Sequence, residues 1–176
     1  MTDLELLARF PSTGADHPVA NDWPSAEQTL HIRFPASFKE FLNVFGGAKF
    51  DDFLRVYRAG AQNKNVDLIR KSIDARATMA DSRPHIRSLL ADRGVTPSEL
   101  IRWGGTDNAD MLFLVPHRDP DAWAVLTVIG RGAEFDLYEG PAESYLLRIL
   151  RGELTSRVFP DDFPDEEFLV DRAPWI

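Results

Sequence analysis

With 176 residues the chain has the length of one ordinary domain, which buries roughly 70% of the surface its unfolded form exposes and so holds a core without covalent staples. It contains no cysteine, which excludes disulfides, thiolate nucleophiles and sulfur-ligated metals, and fits a reducing cytoplasm. A formal net charge of −8, from 28 acidic against 20 basic residues, argues against nucleic acid as a direct partner and favours neutral or basic ones.

The opening MTDLELLARF carries acids where a secretory leader needs bases, and its apolar residues are spaced as in a short helix. No later run reaches the length of a membrane span, so the expectation is an unexported, cytoplasmic protein without membrane contact. Residues 11 to 24 read as an irregular loop, and Pro24 to His31 as a short helix capped by Asp22 or Ser25. The clearest helix is PASFKEFLNVFGG. Phe38, Phe41, Leu42 and Phe45 fall on one stripe, Pro35 sits in the tolerant first turn, and Gly46 supplies the stop.

A short strand is predicted at Phe53 to Tyr57. The segment from Asn65 to Ala80 reads as a helix with Val66, Ile69, Ile73 and Ala77 inward, followed by a second from Ser82 to Arg93 that buries Ile86, Leu89 and Leu90 and ends at Gly94. Then the period changes. Leu100 to Trp103, Asp110 to Val115, Trp123 to Ile129 and Glu134 to Tyr138 are short apolar runs separated by turn chemistry, which predicts an antiparallel meander. MLFLV and WAVLTVI are apolar on both alternating faces, as in strands covered on both sides, whereas EFDLY should be half exposed. Trp103 and Trp123 are expected in the core, Trp23 and Trp175 in loop or tail. Pro141 opens a last helix with Tyr145, Leu146, Ile149 and Leu150 inward and Gly152 as its stop. The fold class is α+β, a mostly antiparallel sheet packed with helices, as one domain over 1–176 with a core of about 24–160 and an acidic tail from about 161.

The stretch IRWGGTDNADMLFLVP tests for chemistry. A phosphate loop needs glycines between a strand and a helix N-terminus, and here they lie between two strands. Asp107 and Asp110 flank a turn rather than converge on an ion, so closing the turn is the plain reading and contacting a partner the functional one. His17, His31, His85 and His117 lack the spacing of a zinc pair, and no serine stands in a nucleophile elbow. DDFPDEEF lacks the alternating ligands of a calcium loop. It reads as a solvated tail or, because Phe159, Phe163 and Phe168 interrupt the acids, as a docking segment with apolar anchors in a negative field. No catalytic residue, metal or cofactor is predicted; a metal-dependent enzyme using Asp107 or Asp110 is the outlying reading.

LHIRFPASFKEFLNVFGG resembles the opening signature of the SUKH superfamily, with Pro35, Phe38, Phe41, Leu42, Gly46 and Gly47 matching position by position. IRWGGTDNADMLFLV looks like that family's central hairpin, and PAESYLLRILRGELTSRVFPDDFP is similar to its C-terminal helix and tail. The likeness covers most of residues 24 to 164. It departs where glycine often precedes the hairpin acid: here stands Ala109, which shifts the expected left-handed residue to Asn108. The resemblance implies a helix-and-sheet binding protein without catalysis. Its bacterial members are commonly immunity proteins that neutralise a polymorphic toxin by direct binding, so the implied partner is a basic toxin domain such as a nuclease. A fungal relative implies the alternative, a regulatory or scaffolding module for an endogenous protein. The residues expected at the partner contact are Asp107 and Asp110 at the hairpin and Asp161 and Asp162 near the tail.

Overall fold

The computed structural model describes residues 1–14, 19–82 and 84–172. His17 and Trp175 lie outside them. Among the described residues six α-helices and one eight-stranded sheet make an α+β fold. The helices are α1 (Asp3–Leu7), α2 (Trp23–Leu30), α3 (Ala36–Phe45), α4 (Leu68–Ser82), α5 (Pro84–Asp92) and α6 (Ala142–Leu150). The strands are β1 (Ser12–Thr13), β2 (Lys49–Phe50), β3 (Leu54–Val56), β4 (Ile101–Thr106), β5 (Met111–Val115), β6 (Ala124–Val128), β7 (Phe135–Tyr138) and β8 (Val170–Asp171). Their order across the sheet is β1-β8-β2-β3-β4-β5-β6-β7, antiparallel throughout except for the β1–β8 pair. Among the described residues no helix is long and apolar enough to cross a membrane.

The meander forms because its central strands are apolar on both faces, and each face has its own cover. Leu112, Leu114 and Val125 join Phe38, Phe41, Trp103, Tyr145 and Leu146 in one core, under α3 and α6. Met111, Phe113, Val115, Leu126 and Val128 meet Met79, Ile86 and Leu90 of α4 and α5 in a second core on the other side. Helices therefore cover both faces of the sheet.

Local chemistry sets the helix ends. Asp22 caps α2 through the Ser25 amide at 3.0 Å. In α3 the stripe Phe38, Phe41, Leu42 and Phe45 is buried as predicted, Gly46 ends the helix, and Gly47 takes the left-handed turn with φ 89°. Trp103 and Trp123 are buried, and Trp23 is half-buried against Phe34 and Phe38.

Two expectations need correction. In α4 the inward residues are Leu68, Ser72, Ala75 and Met79, while Ile73 is 44% exposed. The predicted stripe is rotated because this face meets the start of β4 through polar bonds: the Ser72 hydroxyl accepts the Arg102 amide at 3.0 Å, and Arg76 Nε donates to the Leu100 carbonyl at 3.1 Å. Residues 161–172 are also no loose tail. Their β8 strand inserts between β1 and β2, with the Val170 amide on the Pro11 carbonyl at 2.9 Å, while Phe163 packs on Phe53 and Phe168 on Phe10. Burial of Leu7 likewise brings the N-terminal helix into the core, which extends well beyond 24–160.

Candidate partner-binding surface

The β4–β5 hairpin separates the two aspartates that the sequence paired. A three-residue loop of this kind places its left-handed residue third. That residue is Ala109, with φ 68°, and not Asn108. The loop then delivers Asp110 inward. Its Oδ2 accepts the Thr106 hydroxyl at 2.6 Å and its Oδ1 accepts the Gly130 amide at 2.8 Å, leaving the residue 1% exposed. Asp110 is thus a tie within the fold, and of the two only Asp107 is exposed, at the tip.

Around Asp107 the chain assembles carboxylates from three segments. Lys49 donates to Asp107 Oδ2 at 3.1 Å and to Asp52 Oδ1 at 2.6 Å. Burial tends to strip the Lys49 proton, but the hydrogen bonds to Asp52 and Asp107 prevail and its pKa is raised. The hydrogen bond from Lys49, with its charge, holds the Asp52 carboxyl below its usual range. Arg55, with Nη1 on the Gly47 carbonyl at 3.2 Å, is a second cation at this end of the sheet.

Asp51 and Asp52 form the β2–β3 turn, closed by the Phe53 amide on the Phe50 carbonyl at 3.0 Å. Both have positive φ, 53° and 44°, in a turn type that favours Asn-Gly. Two aspartates there carry backbone strain that glycine would relieve. Asp51 also fastens the C-terminal segment. Its Oδ2 accepts the Asp165 amide at 2.8 Å, and its own amide donates to the Leu169 carbonyl at 2.9 Å.

Asp161 and Asp162 occupy the turn from Pro160 to Phe163, exposed, and the Phe163 ring lies 4.8 Å from that of Phe53, the residue after Asp52. Lys49 joins Asp107 to Asp52, and Asp51 holds the Asp165 amide, so these segments meet in one acidic ridge. Asp161 and Asp162 lie in the turn whose Phe163 packs on Phe53, and Glu166 and Glu167 follow Asp165, exposed. Phe159 is buried and Phe163 and Phe168 are half-buried, so the aromatics expected as anchors face the core. The exposed apolar residue on the ridge is Leu169, at 52%.

Sequence reading missed Asp51, Asp52 and Leu169. The signal was present: two aspartates between the apolar runs AKF and FLRVY mark a hairpin, and the alternation in FLV sends Leu169 outward when its neighbours point in. Among the described residues no three His, Cys, Asp or Glu side chains are grouped to hold a metal ion. His31 ends α2 in a left-handed conformation, and His117 Nδ1 accepts the Asp119 amide, both local structural roles. No protein-family model, curated protein or solved structure matches the chain.

Proposed function

We propose that the chain is a non-catalytic protein-binding module, an immunity protein of the SUKH kind that neutralises a basic toxin domain by direct binding and occlusion. The acidic ridge around Leu169 is its docking surface. One observation carries this reading: Leu169, 52% exposed, is bonded through its carbonyl to the Asp51 amide, beside the β2–β3 turn whose Asp52 shares Lys49 with Asp107 of the β4–β5 hairpin. An apolar centre with a charged rim is the anatomy of a protein interface. The negative rim speeds capture of a basic partner and rejects acidic ones. A toxin that cleaves nucleic acid needs positive charge to hold the phosphate backbone, so its active surface complements the ridge.

Co-expression tests the proposal. The wild-type chain should protect cells from the toxin domain it captures, and Leu169→Asp should bind that domain less and protect less. Binding without protection would replace the immunity reading with the scaffolding one.

A further inference from the structure

A cleft of about 240 Å³ opens among Pro35, Phe38, Leu114, Trp123, Pro141 and Glu143. Leu114 and Trp123 lie at the opposite end of β5 and β6 from the Asp107 hairpin, so the cleft is separate from the acidic ridge. Two helices begin at it. Pro35 and Pro141 are the N-caps of α3 and α6, and neither supplies a side-chain cap. Two such helix ends would draw an anion. The chain fills that position itself: the Glu143 carboxyl accepts its own amide and the Ser37 hydroxyl.

What remains is negative. Glu143 is 8% exposed, and its Oε2 is buried without a hydrogen-bond partner. Folded chains rarely leave such an acceptor idle. Asp121 stands at the mouth of the cleft, and the charges of Asp3 and Glu40 act on Glu143 from α1 and α3. Among the described residues no lysine, arginine or histidine lines the cleft. The rest of the wall is proline, leucine and aromatic surface, which takes up methylene groups and the face of a cation.

We propose that this cleft is a binding site for a primary alkylammonium group, with its charged head on the Glu143 carboxylate and its aliphatic stem against Phe38, Leu114 and Trp123. The group comes from a free amine or from a lysine side chain. The site is independent of the docking surface proposed above.

The test is a titration of the whole protein with n-butylammonium, with N-acetyl-lysine methylamide as the side-chain surrogate and with 1-butanol as the neutral isostere, followed by NMR at the Trp123 indole N–H and the Leu114 methyls. Saturating shifts with n-butylammonium, at least tenfold weaker binding of the alcohol and at least a tenfold loss in Glu143→Gln are expected. Binding of the lysine surrogate as well assigns the site to a protein side chain, and its exclusion assigns it to a free amine. No saturating shift with n-butylammonium, equal binding of 1-butanol, or undiminished binding in a folded Glu143→Gln overturns the proposal. Should that variant not fold, the comparison of ammonium and alcohol on the wild type decides.

Discussion

The carboxylate of Asp110 accepts the amide of Gly130, twenty residues away, at 2.8 Å, and so locks the tip of the β4–β5 hairpin to the chain leaving β6. Removing it takes the carboxylate acceptor from the part-buried Gly130 amide and the partner from the Thr106 hydroxyl. Asp110→Ala should therefore cost about 2–3 kcal/mol. Urea unfolding should show a lower midpoint at unchanged slope, and an unchanged midpoint would mean that the tie is dispensable.

The same corner predicts two substitutions of opposite sign. Ala109 sits at φ 68°, so Ala109→Gly should relieve strain and stabilise the protein by about 0.5–1 kcal/mol. A β-carbon on Gly130 would lie 2.6 Å from the Asn108 carbonyl oxygen and 2.8 Å from the Ala109 carbonyl, all backbone that cannot rotate away. Gly130→Ala should cost about 1–3 kcal/mol. Thermal unfolding of the pair checks both, and two shifts of the same sign would contradict the hairpin geometry.

Glu143 makes stability depend on pH. Burial, aided by the charges of Asp3 and Glu40 and opposed by its own amide and Ser37, raises its pKa above the ordinary glutamate value of 4.5. The folded state then holds a proton that the unfolded state has released. The stability this contributes is complete below the unfolded value and is lost as pH rises through the raised one. Glu143→Gln removes that loss, so it should be more stable than the wild type at neutral pH, with the difference shrinking towards pH 4.5. Parallel denaturation curves across pH measure this. A variant that is less stable at neutral pH would show that the carboxylate is favourably held.

One edge strand of the sheet is β7, and the 156–157 segment covers it. Arg157 Nη2 donates to the Phe135 carbonyl at 2.8 Å, and Asp136 accepts the Arg157 amide, Arg157 Nε and the Ser156 hydroxyl at 2.6–2.9 Å. Asp136→Ala should free this clasp and leave an unpaired strand edge. Concentration-dependent association in sedimentation velocity is the expected outcome, and a monodisperse variant matching the wild type would assign the edge another guard.

Where burial follows sequence period, the fold was legible. MLFLV and AVLTV could be read because strands covered on both faces are continuously apolar, and α3 because three phenylalanines repeat at helical spacing. The α4 register was not legible, since its inner face is Leu68, Ser72, Ala75 and Met79 and the greasier Ile73 points out. Nor were β1, β2 and β8, two residues each and too short for any period, joined only by pairing across the whole chain. That pairing is also why the ridge stayed hidden: Asp107, Asp161 and Asp162 were visible as separate acids, and β8 beside β2 is what unites them. Asp110 misled because a turn acid looks the same in sequence whether it faces solvent or a buried amide.

The docking surface is tested most directly by parallel capture from lysate of the source cells with three baits, at low and at high salt: wild type, Leu169→Ala, and Asp161→Lys with Asp162→Lys. The prediction is one basic protein held by the wild type at low salt and lost at high salt. Leu169→Ala should release it about tenfold faster, a loss of roughly 1.4 kcal/mol. The double lysine variant should capture it more slowly and with a flatter salt dependence. The same partner held equally by all three baits would contradict the claim that the acidic ridge around Leu169 is where this protein binds.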